Sequence, residues 1–149
     1  MESISSYMQQ DHVVIDGIAG RAVAAAEARD WTALAREGAE FLRRLRQHIE
    51  AEEQVLFPAF EERTGMSAGG PSKVMRIEHE QMRPILAQME AAVAAQDGAA
   101  YQRASKALFD ILLPHNMKEE QMMYPMLDAA VGEDVQEVLA DAKAMLAAA

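Results

Sequence analysis

Every histidine in this chain has a partner at one fixed spacing, since 79 − 12 and 115 − 48 are both 67. Glu52 and Glu119 keep the same interval, and around them the repeat becomes literal. His48, Glu52, Glu53, Gln54, Phe57 and Pro58 sit over His115, Glu119, Glu120, Gln121, Tyr124 and Pro125, while Asp11-His12 sits over Glu78-His79. Two halves that agree mainly at potential metal ligands imply one pseudo-symmetric site to which both contribute.

The turns make this geometric. Asp30 lies 18 residues from both His12 and His48, and Asp97 lies 18 from both His79 and His115. If these aspartates mark tight turns between helices, a chain rising ~1.5 Å per residue travels about 27 Å to the turn and the same distance back. His12 and His48 then share one level of an antiparallel hairpin, and His79 and His115 one level of a second. Docking the hairpins side by side brings four imidazoles to one cross-section.

The repeat uses most of the 149 residues, so the chain reads as one domain over residues 1–149, with a bundle at residues 5–130 and a short final helix at residues 133–146. Half the residues are hydrophobic and only 5% are aromatic, with 11 methionines. That favours helices, because strands want β-branched and aromatic side chains. A net charge of −10 argues against a nucleic-acid or anionic-membrane surface. Bound di- or trivalent cations would offset part of it. The chain has no cysteine, which excludes disulfides, thiolate zinc sites and cysteine-ligated iron–sulfur clusters. The opening Met1-Glu-Ser-Ile lacks a basic stretch followed by an apolar one, and no apolar run approaches the ~20 residues of a membrane span. A cytoplasmic protein is expected.

Helix 1 is expected to start at Ser5 or Ser6 and to turn Met8, His12, Ile15, Ala19, Ala22 and Ala26 inward. Asp30 caps helix 2, whose stripe is Leu34, Phe41, Leu45, His48, Glu52 and Val55. Phe57-Pro58 should disturb that helix. Ser67–Ser72 forms the long loop between halves, with Ser72 the expected cap of helix 3 and Met75, His79, Met82, Leu86, Met89 and Val93 its stripe. Asp97-Gly98 turns the chain into helix 4, carrying Tyr101, Leu108, Leu112, His115, Glu119, Met122 and Met126, with Pro114 expected to bend it. The order predicts an all-α, up-down-up-down antiparallel four-helix bundle with a short extra C-terminal helix.

His48 and Glu52 are four apart and stack on one apolar helix face, as do His115 and Glu119. A single pair of this kind is usually an ordinary ion pair, and a single histidine usually a satisfied core residue. The whole set at one level is different, because buried carboxylates need partners or a metal. The candidate ligands are therefore His12, His48, Glu52, His79, His115 and Glu119: two histidines per metal, with both glutamates shared. Imidazole with carboxylate suits iron or manganese, and zinc less distinctively. Asp11, Glu53, Glu78 and Glu120 lie about 100° round their helices from a ligand. They are candidates to hydrogen-bond the far ring nitrogens. Removing metal should raise the apparent pKa values of Glu52 and Glu119, because burial disfavours the charged carboxylate. Tyr7, Tyr101 and Tyr124 could reach a bound oxygen species, although a tyrosine at a helix seam more often packs. Trp31 should pack the bundle end, and the methionines fill the core.

These residues together resemble the hemerythrin-like HHE cation-binding domains: a lone histidine on helix 1, His-x3-Glu on helix 2, Glu-His on helix 3 and His-x3-Glu on helix 4. Leu56-Phe57-Pro58 and Met123-Tyr124-Pro125 follow in the family manner. The resemblance implies a four-helix bundle around two iron ions bridged by carboxylates and an oxygen species. It departs from the oxygen-carrying members, which have a fifth histidine on helix 3; here Met75 and Arg83 stand four residues either side of His79. It also lacks the aspartate that the carriers place five residues after the helix-4 histidine. The closer likeness is to HHE proteins linked to iron handling, O2 or NO sensing and iron–sulfur cluster repair, although the repair proteins add an N-terminal domain with cysteines. The expected function is a di-iron protein that binds or senses iron, O2 or NO, or serves in a stress response. A di-iron oxidoreductase, peroxidase-like or NO-reducing, is the rival reading. A partner-binding bundle that the metal merely stabilises is the third.

Overall fold

The computed structural model describes residues 2–147, so Met1 and residues 148–149 of the expected domain lie outside the described residues. Helix α1 runs Ile4–Ala28 and α2 runs Trp31–Ala51. After a five-residue π turn at Glu52–Leu56 the same rod continues as α3, Phe57–Thr64. Helix α4 is Pro71–Ala94, and α5 is Gly98–Lys118, followed by a second π turn at Glu119–Met123 and by α6, Tyr124–Val131. A 3₁₀ turn at Gly132–Asp134 leads into α7, Val135–Leu146. Helix α1 packs on α2 and α5, and α4 packs on α5 and α2. This is the up-down-up-down bundle that the spacing predicts, with α7 as the extra helix. No helix among the described residues is long and apolar enough to cross a membrane.

Local chemistry sets the turns. The Asp30 carboxylate accepts from the Ala33 N–H at 3.1 Å and the Asp97 carboxylate from the Ala100 N–H at 3.0 Å, each replacing a bond that the helix cannot make for itself. Arg29 and Gln96, just before them, take left-handed backbone with φ 56° and 53°. Gly98 is required by crowding, since a Cβ there would meet the Ala26 carbonyl oxygen at 2.7 Å. Trp31 packs partly buried against the core at this end.

Two caps differ from the sequence reading. Helix α1 begins earlier than Ser5, at a reciprocal cap formed by Ser3 and Ser6. Helix α4 is capped at Gly70, with Pro71 in its first turn, where a missing N–H costs nothing. Ser72 is instead buried, and its hydroxyl donates to Glu61 Oε2 at 2.7 Å. Pro84 and Pro114 lie inside α4 and α5, which run through them.

The inward stripes hold up to the π turns. Met122 and Met126 are exposed, and Met123, Tyr124 and Leu127 are buried in their stead. Likewise Val55 is only half-buried and Leu56 and Phe57 are inside. The Phe57 N–H bonds back to Glu52 O and the Tyr124 N–H to Glu119 O, five residues away. One extra residue per turn rotates everything after it by about a residue step. Pro58 and Pro125 explain the placing, because neither can donate to the carbonyl four residues before it. The predicted disturbance therefore falls just ahead of the proline. Val93, the remaining stripe position, is half-buried.

Candidate metal centre

Two apolar clusters fill the bundle. One, toward the turns, contains Ile15, Phe41, Met82 and Leu108; the other, under α7, contains Met8, Phe60, Met75 and Leu139. Between them lies a polar layer. His12, His48, Glu52, His79, His115 and Glu119 are all buried there, Glu52, His79 and Glu119 with no exposed surface. The structure thus brings together all six candidate ligands, one from each of the four rods plus a carboxylate from two of them.

Their donor atoms converge in two sets, His12, His48 and Glu119 in one and Glu52, His79, His115 and Glu119 in the other, each within 4.8 Å. His12 Nε2 lies 3.1 Å from His48 Nε2, and the rings of His79 and His115 lie 4.9 Å apart. Both carboxylates span the two histidine pairs. Glu52 turns Oε2 to His48 at 3.4 Å and Oε1 to His79 at 3.1 Å. Glu119 turns Oε1 to His12 at 3.2 Å and Oε2 to His115 at 3.3 Å.

The four neighbouring acids hold the far nitrogens of the rings. Asp11 stands 2.7 Å from His48 Nδ1, Glu120 2.7 Å from His12, Glu53 2.8 Å from His79 and Glu78 2.8 Å from His115. None serves the histidine beside it in sequence. A side chain 100° round the helix points at the adjacent helix, and so meets that helix's ring. A ring that donates Nδ1–H outward and carries no second proton presents its Nε2 lone pair to the interior, as metal-bound histidines require. Cations brace three of the acids from the surface: Arg44 donates to Asp11, Arg83 to Glu53 and Lys118 to Glu78. Glu120 is braced instead by the Gln9 amide, at 3.4 Å.

Charge is arranged accordingly. Burial opposes a cation at His48, but Glu52, Asp11 and Glu119 outweigh it and hold the ring up at about 10. His79 is likewise raised to about 9 against burial by Glu52, Glu53 and Glu119, and His115 is raised mainly by Glu119. At the Glu52 carboxyl burial acts upward, yet His48, Glu119 and His79 around it pull it well below the usual carboxylate range. Burial and the two glutamates push the Tyr124 phenol well up.

Tyr124, for which packing was the stronger expectation, is the residue that sequence reasoning undervalued. Its hydroxyl donates to Glu52 Oε2 at 2.6 Å and lies 3.0 Å from Glu119 Oε1, 3.2 Å from His48 Nε2 and 3.3 Å from His12 Nε2. The available signal was its place five residues after Glu119, matched by Phe57 after Glu52. Three buried atoms of the layer, Glu52 Oε1, Glu119 Oε2 and His79 Nε2, make no well-aligned hydrogen bond among the described residues, although Glu52 Oε1 and His79 Nε2 face each other at 3.1 Å. Buried polar atoms without partners are costly. A cation among these oxygens and nitrogens supplies what they lack, so the donor set fits a metal.

A family model described as the hemerythrin HHE cation binding domain matches residues 3–127. Two relatives are each named iron–sulfur cluster repair protein YtfE, from Yersinia pestis (strain Pestoides F) and from Yersinia pseudotuberculosis (strain IP32953). Each is 32% identical over 101 residues, covering 62% of this chain and 45% of the relative. The chain therefore spans less than half the length of these curated relatives. No solved structure gives a significant match.

Proposed function

Because this chain belongs to the hemerythrin HHE cation-binding domain family, we propose that it is a non-haem di-iron protein, acting as one domain to bind or sense O2, NO or iron in a stress response. The observation that carries this reading is the way Glu52 and Glu119 each divide their two oxygens between the His12–His48 and His79–His115 pairs. Four histidines alone offer two ligands per metal, and shared carboxylates raise that number for both. His12 and His48 would hold one iron, His79 and His115 the other, and Glu52 and Glu119 would join them. Iron bound there would supply redox-active positions for a small diatomic molecule. The protein's own part is to hold four Nε2 atoms in place through the outward Nδ1 bonds and to exclude bulk water. The Yersinia relatives' name supports a role near iron under stress.

The test is metal content per chain after anaerobic loading with iron(II), followed by absorption spectra under O2, NO and peroxide. Two irons per chain with a spectral change and no turnover bear the reading out. One iron per chain under saturating conditions contradicts the dinuclear centre, and sustained consumption of peroxide or NO makes the protein an oxidoreductase.

A further inference from the structure

The repeat that builds the metal centre changes chemistry at the buried position five residues after each glutamate. Tyr124 follows Glu119 by five residues and Phe57 follows Glu52 by five, each carried inward by its π turn. Only Tyr124 has an oxygen to offer. Phe57 stacks on His79 with ring centroids 5.8 Å apart, and Arg76 covers its ring.

The oxygen's surroundings have the shape of a coordination polyhedron. Ligands about 2.1 Å from a metal and at right angles to each other lie about 3 Å apart. The Tyr124 oxygen is 2.6–3.3 Å from four atoms: Glu52 Oε2, Glu119 Oε1, His48 Nε2 and His12 Nε2. Those four also lie close in series, with Glu119 to His12 at 3.2 Å, His12 to His48 at 3.1 Å and His48 to Glu52 at 3.4 Å. A phenol oxygen within reach of four such donors at these spacings fits five ligands around one ion. A purely packing tyrosine would need one partner, not four converging ones. On the other side, Glu52 Oε1, Glu119 Oε2 and His79 Nε2 have no such oxygen above them and make no well-aligned hydrogen bond among the described residues.

Resting on the dinuclear reading above, we propose that Tyr124 is a fifth protein ligand of the His12–His48 metal, which makes the two halves of a symmetric-looking centre inequivalent. On binding, the phenol oxygen takes the metal and its proton leaves to solvent. The His79–His115 metal, beside Phe57, keeps one protein ligand fewer and so more room for an exogenous molecule.

The experiment loads the full chain with iron, oxidises it to iron(III), and records metal content, visible absorption and resonance Raman spectra. The expected result is two irons per chain, a phenolate-to-iron(III) charge-transfer band and tyrosinate ring modes. Tyr124→Phe should keep both irons and lose the band and the modes entirely. The chain has three tyrosines, and Tyr7→Phe and Tyr101→Phe should each keep the band, which identifies Tyr124 even if its own variant folds poorly. Two irons per chain without a phenolate signature overturn the assignment while leaving the dinuclear centre intact. A band that survives Tyr124→Phe, or is lost in either other variant, overturns it as well. A wild-type chain that binds no iron sinks both readings together.

Discussion

Asp11 lies 2.7 Å from Nδ1 of His48 although 37 positions separate them, and Glu78 stands to His115 at the same separation and 2.8 Å. In both cases an acid on the first helix of a hairpin orients a ring on the second. Arg44 and Lys118 then hold the acids from the surface. Ring orientation in the buried layer is thus tied to charges that solvent can reach.

Asp11→Asn should weaken metal binding about 10- to 100-fold, the usual effect of removing the carboxylate behind a ligating histidine. Competition against a coloured chelator measures this directly. Unchanged affinity would mean that Asp11 merely balances charge.

Glu52→Gln and Glu119→Gln should cost more than Glu53→Gln or Glu120→Gln, because each of the first pair touches both histidine pairs while each of the second touches one ring from behind. The expected readout is loss of one or both metals per chain for the first pair and retention of both for the second. Equal losses across all four variants would contradict this division.

Metal-free stability should fall as pH rises above neutrality. His48 at about 10 and His79 at about 9 are raised above the ordinary 6.5, so their contribution is complete below that value and disappears as pH climbs through their folded values. Glu52 is lowered below 4.5, so its share is present above that value and is lost as pH falls. Iron reverses the upper trend, since it must displace protons from the same imidazoles. Melting with and without iron(II), kept anaerobic, should show a gap that widens between about pH 6 and about pH 8.5. At a free metal concentration a hundred times the dissociation constant the gap is worth about 2.7 kcal/mol, or up to about 10 °C. A gap that narrows with rising pH would place metal elsewhere.

At the closed end of the bundle, Asp97→Ala should cost about 1 kcal/mol through the lost cap. Gly98→Ala should cost more despite alanine's better helix propensity, because its methyl group would press on the Ala26 carbonyl oxygen at 2.7 Å. Thermal melts of the metal-free variants check the order, and metal content should be unchanged in both.

The bundle and the meeting of its candidate ligands were legible because they depend on quantities a sequence carries. Asp30 and Asp97 announce turns by their own side-chain bonds, and a constant rise then sets His12 level with His48 and His79 with His115. The π turns were not legible as such. A widened turn has no composition of its own, so periodicity carried on past Glu119 points to Met122 and Met126, where the chain instead buries Met123, Tyr124 and Leu127. The cue was indirect, in Pro58 and Pro125 at matched places. The same blind spot hid Tyr124, whose contacts exist only after that one-residue shift. Asp11, Glu53, Glu78 and Glu120 could be placed beside the site, but not matched to rings, because each serves a different helix from its sequence neighbour.

A charged layer that separates two apolar clusters also divides the molecule's cooperativity. The lower cluster is closed by two tight turns, whereas the upper one joins the start of α1, the segments after both π turns and α7, elements distant in sequence. At mid-height the helices that run through both are packed by the polar side chains of the layer instead of by apolar contact. In amide exchange the metal-free protein should therefore open from the α7 end as its own unit, with the lower helices protected to a higher free energy. Binding at the layer fastens the units to each other, and both should then exchange through one common opening.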